Sequence, residues 1–236
     1  MIEQGSPRHI GIILDGNRRF AKRLMKKPWM GHEWGARKVE SALNWCKDAN
    51  VKMLTLYSFS IDNLKRPKEE FKMLMNLFEK EFRKAANHPD IHRNKVRINV
   101  IGQVDLLPES TQEAIKEAVE ATKDYSELVV NFAIAYGGRK EIVDATKKIA
   151  KLVETGKINP EDIDEGLISK NLYLSGMPDP ELIIRTGGEK RLSDFLMWES
   201  PYSELCFVDK LWPEFNKEDF LKAIEEFKTR QRRFGK

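Results

Sequence analysis

Apolar positions along the chain keep two rhythms, and the rhythms take turns. Short runs that are continuous or alternate cover Ile10–Leu14, Val51–Phe59, Val96–Ile101, Leu128–Ala135, Glu181–Arg185 and Leu205–Val208. These read as strands, and Leu128–Ala135, almost wholly apolar, reads as a central parallel one. Between them the spacing is helical. Trp34, Val39, Leu43 and Cys46 mark one stripe that ends near Asn50, and Ile115 and Val119 mark another between Pro108 and about Tyr125. Phe71, Leu74, Met75, Leu77, Phe78 and Phe82 give a broad apolar face after Pro67. A helix follows Tyr136-Gly-Gly-Arg139 to about Glu154, and Asn159-Pro160 starts a short one. Asn216 caps the last helix, with Phe220, Ile224 and Phe227 on one face. Strands alternating with helices predict an α/β fold: a single domain over residues 1–236, with a mostly parallel six-stranded sheet surrounded by helices.

Composition narrows this picture without changing it. The chain has 236 residues, 41% hydrophobic and 33% charged, enough for a sizeable core. The net charge of +4 favours anionic partners without implying nucleic acid. Two cysteines, Cys46 and Cys206, lie in apolar-patterned stretches and read as buried free thiols of a reducing compartment. The first residues lack the apolar core of a signal peptide, and no run is long enough to span a bilayer, so a cytoplasmic place is expected. His88 and His92 are spaced like metal ligands, but Pro89 is expected to break any helix between them. The acids Glu161, Asp162, Asp164 and Glu165 read as an acidic first helical turn.

Chemistry collects where strands end. Ile10–Leu14 stops at Asp15, breaks at Gly16 and continues through Asn17, Arg18 and Arg19 into a basic, acid-free stretch. A glycine there lets backbone approach a ligand, and arginines add forked donors. Asp15 beside such an anion site suggests Mg²⁺ bridging to a diphosphate; an ordinary capped corner is the alternative. Two further glycine turns, Tyr136-Gly-Gly-Arg139 and Arg185-Thr-Gly-Gly-Glu-Lys-Arg191, bring more arginines. Arg19, Arg66, Arg139, Arg185 and Arg191 exceed what one phosphate group needs. Neither a phosphate-loop motif nor a dinucleotide-binding glycine fingerprint occurs. The substrate therefore reads as a diphosphate with an apolar remainder, and the Phe71–Phe82 face is open to two readings, packed core or the wall of a greasy cavity.

In combination these residues resemble the cis-prenyltransferases of the undecaprenyl diphosphate synthase type. The motifs are D-G-N-x-R at Asp15–Arg19, G-H at Gly31–His32, F-S-x-[ED]-N-x-x-R-P at Phe59–Pro67, and Y-G-G-R at Tyr136–Arg139. R-T-G-G-E-x-R-x-S-[ND]-F at Arg185–Phe195, Y-S-E-L at Tyr202–Leu205, L-W-P at Leu211–Pro213 and R-R-F-G at Arg232–Gly235 follow in order. The resemblance runs from about Arg8 to Gly235. It implies Mg²⁺-dependent condensation of isopentenyl diphosphate onto an allylic diphosphate, farnesyl or geranylgeranyl diphosphate, giving a long-chain polyprenyl diphosphate with cis double bonds for lipid carriers. A non-catalytic scaffold subunit and a diphosphate-binding phosphatase are the alternatives.

What the resemblance implies for single residues is specific. Asp15 would manage Mg²⁺ and the departing diphosphate, with Glu204 as a second metal ligand. Gly16, Asn17, Arg18, Arg19, Phe20 and His32 would surround the allylic diphosphate, with Ser60, Asp62, Leu64 and Arg66 on a lid that Glu70 helps to order. Asn63 would act on isopentenyl diphosphate, and Arg185, Arg191 and Ser193 would bind it. Phe71, Leu74, Phe78 and Leu128 would line a hydrophobic tunnel. Eight strand steps place Leu128 about 26 Å from Tyr136 and on the same face. The Arg233-Phe-Gly tail would reach a neighbouring site in a homodimer, and product release would involve transient contact with a membrane surface. The chain departs from the family pattern at Arg18, Phe20, Asp62 and Leu64. Pro28 stands where an arginine would contact diphosphate, with Lys26 or Lys27 as substitutes.

Overall fold

The computed structural model describes residues 5–230. Strand β1 (His9–Ile13) is followed by α1 (Asn17–Arg23) and α2 (Gly31–Asp48), then β2 (Met53–Ser60), α3 (Lys68–Ala86) and the short α4 (Pro89–Arg93). Next come β3 (Val96–Ile101), α5 (Glu109–Thr122), β4 (Leu128–Tyr136), α6 (Gly138–Glu154) and α7 (Glu165–Asn171). β5 (Leu182–Arg185), β6 (Glu204–Phe207) and α8 (Lys217–Thr229) close the described chain. The six strands form one sheet, β3-β4-β2-β1-β5-β6, and every pair is parallel. The expected alternation is observed except between β5 and β6, which no helix separates.

The sheet is apolar on both sides because helices cover one and the segments around Leu174 and Phe195 cover the other. One core joins Ile10, Ile12, Leu56, Val130 and Ile184 to residues of α2, α3, α5 and α8. The other joins Ile13, Tyr57, Ala133, Tyr136 and Ile183 to Phe195 and Leu196. Phe220 and Phe227 of α8 are fully buried, so the apolar face of the last helix is used inside this chain. Truncating either would cost about 3–5 kcal/mol.

Two expectations change here. Pro89 does not break a helix; it occupies the first turn of α4, where proline's missing N–H is no loss, and His88 is the cap that accepts from Asp90 N at 3.2 Å. His92 turns to Ala86 O (2.9 Å) and Tyr125 Oη (3.0 Å), so the two histidines do not converge. Leu128 and Tyr136 do not share a face. Ala135 takes φ 47°, the β2–β4 register shifts near Phe59, and Tyr136 swings into the core opposite the one holding Leu128.

Strand order reverses direction at β1, which pairs with β2 on one side and β5 on the other. Such a switch opens a crevice beyond the carboxyl ends of the strands, and ligands of open α/β sheets bind there.

Candidate functional site

Asp15 follows the carboxyl end of β1 and Arg185 is the last residue of β5, so the sheet sets them side by side. Arg185 Nη2 donates to Asp15 Oδ2 at 2.9 Å, and Arg19 Nη2 donates to Oδ1 at 3.0 Å. The carboxylate is thus held between two guanidinium groups. Arg185 is only 5% exposed. Its Nη1 donates to Ser193 Oγ at 2.8 Å and to the Arg191 carbonyl, which braces the following loop. Arg19 Nη1 also reaches Gly187 O at 2.7 Å. Gly16 (φ 110°) must be glycine: a Cβ there would meet Leu211 at 2.8 Å. Gly187 (φ 88°) leaves room for the Arg19 fork.

The backbone of this corner is tied down from places the sequence reading did not single out. Thr186 Oγ1 donates to Asp15 O at 2.8 Å, and Trp212 N donates to the same oxygen at 2.9 Å. Trp212 is fully buried and its Nε1 donates to Gly35 O at 2.9 Å, joining the corner to α2. The leucine-tryptophan-proline motif was the only signal for it. Asn17 Nδ2 donates to Leu14 O at 3.2 Å, while its Oδ1 is buried and unpartnered.

A second cluster sits where α2 begins and the loop after β2 returns. Glu70 is 3% exposed, and Arg66 Nη1 donates to it at 2.9 Å while Arg18 Nε stands 3.5 Å away. Arg66 Nη1 is also 3.3 Å from His32 Nε2. Burial, reinforced by the charges of Arg66 and Arg18, holds the His32 pKa down to about 3, so its ring is neutral. Ser60 and Asn63 cap one another across the turn Ile61–Lys65: Ser60 N donates to Asn63 Oδ1 at 3.2 Å. Asn63 Oδ1 therefore holds the lid's own backbone. Asp62 pairs outward with Lys65 at 2.9 Å. Leu64 packs on the main core, and Phe20 packs edge-on against Trp34 with centroids 5.4 Å apart.

Between α2, α3 and the sheet lies a cavity of about 510 Å³. Asn17 and His32 line one end, Leu74, Phe78 and Phe82 the wall, and Val96 and Leu128 the other end, beside Lys95 and Glu127. An apolar wall between polar ends suits an amphipathic ligand. Phe71 is not on the lining; it packs against Phe59, 6.3 Å between centroids.

Other candidates fall elsewhere. Glu204 opens β6 opposite Leu182, level with Ile10, whereas Asp15 lies beyond Ile13. The two acids are at opposite ends of the sheet, more than about 10 Å apart along the strands before the sideways separation is added. One chain does not bring them to one ion, and Glu204 instead accepts from Arg230 at 2.8 Å. The Arg191 side chain is exposed and pairs with Glu189 at 2.5 Å. The turn Tyr136–Arg139 is not an open anion site, because Asp194 already occupies it: Arg139 N donates to Asp194 Oδ1 at 2.9 Å and Gly138 N to Asp194 O at 2.7 Å. The Arg232–Gly235 motif lies outside the described residues.

Behind the Ser193–Leu196 segment lies an acid pair that no motif announced. Glu141 (1% exposed) accepts from Tyr136 Oη and from Tyr173 N. Glu199 is 5% exposed, and neither of its oxygens has a donor in hydrogen-bonding geometry among the described residues. Burial, then the neighbouring Glu141 charge, pushes the Glu199 pKa up to about 8.

Could the Asp15 corner accept Mg²⁺? Among the described residues no three His, Cys, Asp or Glu side chains converge on a metal position. Mg²⁺ does not need such a cage. It is commonly held by one or two carboxylates with phosphate oxygens and waters. Asp15, with 27% of its side chain exposed, supplies that donor set once a diphosphate is present, so the residues fit.

Comparison with known proteins shows what the whole chain is similar to. The family model described as undecaprenyl diphosphate synthase matches residues 13–235. A tritrans,polycis-undecaprenyl-diphosphate synthase (geranylgeranyl-diphosphate specific) of Methanopyrus kandleri is 54% identical over 230 residues, 98% of this chain and 85% of that one. An isoprenyl transferase of Thermus thermophilus is 45% identical, covering 98% of this chain and 89% of that one. The crystal structure of lavandulyl diphosphate synthase from Lavandula x intermedia, in complex with dimethylallyl diphosphate, superposes with a TM-score of 0.91 at 33% identity. It covers 98% of this chain and 99% of that one.

Proposed function

Since this chain belongs to the undecaprenyl diphosphate synthase family of prenyltransferases, we propose that it extends geranylgeranyl diphosphate by repeated addition of isopentenyl diphosphate, each new double bond cis. The primer and a product near undecaprenyl length follow the names of its relatives, so the product need not be as long as the sequence reading expected. The observation that carries the reading is the Asp15–Arg19–Arg185 clamp, two residues along the chain from Asn17, which lines a cavity with an apolar wall. Cations and a carboxylate meet a diphosphate, and hydrocarbon walls meet a prenyl tail.

Breaking the allylic C–O bond places negative charge on the departing diphosphate. Arg19 and Arg18 would take that charge, which is where preorganised cations lower a barrier. Asp15 would hold Mg²⁺, and the bound ion would screen the same charge. Arg185 orients Asp15 and braces Ser193, so the second diphosphate would meet Ser193, Arg191 and the exposed edge of the clamp. Neutral His32 would act as a hydrogen-bonding group. Asn63 would order the lid over isopentenyl diphosphate, with Ser60 as its capping partner and Arg66 and Glu70 as its base. Leu74, Phe78 and Leu128 would receive the growing chain, and the cavity would act as the tunnel.

The described residues contain no helix long and apolar enough to cross a membrane. We place the enzyme, as a single catalytic domain, in the cytoplasm with transient contact to a lipid surface. We also propose a homodimer, formed through a surface other than the buried face of α8. Only between two copies could Glu204 serve the metal site. Incubating the purified protein with Mg²⁺, labelled isopentenyl diphosphate and dimethylallyl, farnesyl or geranylgeranyl diphosphate tests the reading. A ladder of cis-polyprenyl products, best from geranylgeranyl diphosphate, is expected. Product only after a second subunit is added would make this chain a scaffold, and phosphate release without chain growth would make it a phosphatase.

A further inference from the structure

Helix α1 ends in a turn that the proposed chemistry leaves unused. Leu24 and Met25 stand there side by side, 43% and 94% exposed. Met25 also holds φ 54°, a left-handed conformation that glycine adopts freely and other residues adopt at a cost. Neither feature helps the fold. An apolar side chain fully in water gains nothing from folding, and a glycine would fit this backbone better.

The surroundings of the turn are cationic. From Gly16 to His32 the chain has six lysines and arginines and no acid. Arg18 and Arg19 belong to the diphosphate corner, and Arg23 is bonded to Glu214. Lys22 and Lys26 make no ion pair among the described residues, and both are exposed. Lys27 lies over the Trp29 ring, 4.9 Å from its centroid, and 3.6 Å from Glu69 at the start of α3. Met73, 41% exposed, follows Glu69 by one helical turn. Seven residues of α1 put this tip about 10 Å from the diphosphate corner.

We propose that the Leu24–Met25 turn is a docking tip for an anionic lipid surface. Its two side chains enter the boundary between headgroups and acyl chains, and Lys22, Lys26 and Lys27 face the headgroups. Charge complementarity selects the partner: a neutral bilayer offers the lysines nothing. The purpose of the tip rests on the prenyl-elongation reading, in which primer and product are lipids. Its test does not involve catalysis.

The full chain is floated with vesicles of equal phosphatidylglycerol and phosphatidylcholine, and with vesicles of phosphatidylcholine alone. Binding to the anionic vesicles should exceed binding to the neutral ones at least fivefold and fall in high salt. The double variant Leu24→Ser, Met25→Ser should lose at least fivefold in vesicle binding. Met25→Gly is the second variant: it relieves the left-handed strain, so its Tm should stay level or rise while vesicle binding falls. Equal binding to both vesicle types overturns the proposal. So does a folded Met25→Gly protein that floats like the wild type, or one that loses its fold, since the side chain would then be structural. Vesicle binding by a protein that makes no prenyl product would sink the elongation reading and leave the tip standing. Chain growth by a protein that ignores vesicles would do the reverse.

Discussion

Asp15 and Glu199 are carboxyl groups of one small protein, and they solve the problem of negative charge in opposite ways. Asp15 is partly exposed and lies between Arg19 and Arg185, each within about 3 Å. Glu199 is almost sealed, has Glu141 for a neighbour, and is pushed up to about 8. Depth alone does not decide the matter. Glu70 is as deep as Glu199, yet it has Arg66 at 2.9 Å and Arg18 at 3.5 Å. What differs is whether a cation reaches the group from another element. With one, the carboxyl is held in ion pairs; without one, the site takes a proton.

Removing the charged member should have the largest effect. Asp15→Ala is expected to cut kcat by ~100-fold or more, with less change in KM, because the group acts mainly on charge that appears in the transition state. Steady-state kinetics on a variant with native circular dichroism checks this. Turnover within tenfold of wild type would remove Asp15 from its role.

The protonated member is tested through stability. Glu199 titrates at about 8 in the folded protein against an ordinary value of 4.5. The folded state therefore holds the proton more tightly than the unfolded state. The resulting stabilisation is complete below pH 4.5, declines as pH rises, and is lost by about pH 8, a change of several kcal/mol. Glu199→Gln keeps the shape without the proton to lose. Its Tm should exceed the wild type's at pH 8 and lose that advantage near pH 5. Identical pH dependence in the two proteins would mean that Glu199 is not the neutral group.

Arg185 and Arg191 sharpen the comparison further. Arg185 is buried and bonds Asp15, Ser193 and the Arg191 carbonyl, whereas the Arg191 side chain is exposed beside Glu189. Arg185→Ala should lower both stability and catalysis, since it strips partners from a buried network. Arg191→Ala should leave Tm within about a degree while weakening isopentenyl diphosphate by about 1.5–3 kcal/mol, the range for a charge-assisted contact. Separate substrate titrations and melts decide. Equal weakening of primer and isopentenyl diphosphate would reassign Arg191.

Most of the framework was legible because strand and helix periods are local. All six strands appear within a residue or two of their expected places. The errors came from features that local pattern does not carry. Pro89 reads as a breaker or a starter depending on the cap before it, and His88 supplied that cap. Ala135 reverses one residue's facing, which alternation cannot anticipate. Glu204 stays a candidate from its motif, which does not carry the β5–β6 register that sets it away from Asp15 within one chain. Asp194 on the start of α6 and Glu199 beside Glu141 are pairings across more than fifty residues, invisible until the chain is folded.

The smallest expected effect is none, and it concerns His32. An exposed histidine would change charge between pH 5 and 8 and add a limb to the pH–rate profile. Burial, together with Arg66 and Arg18, brings His32 down from 6.5 to about 3. The unfolded state then binds the proton more readily, so the stability linked to this ring is present above pH 6.5 and lost as pH falls toward 3. In the free protein, the His32 ring resonances should not shift between pH 5 and 8. Inorganic pyrophosphate bound at the clamp should raise the midpoint, because an anion offsets the two arginines. A free-protein midpoint near 6.5 would show that water reaches the ring and that the Arg66–His32 contact does not hold in solution. A midpoint unmoved by pyrophosphate would place the diphosphate away from His32, leaving the ring as part of the cavity wall alone.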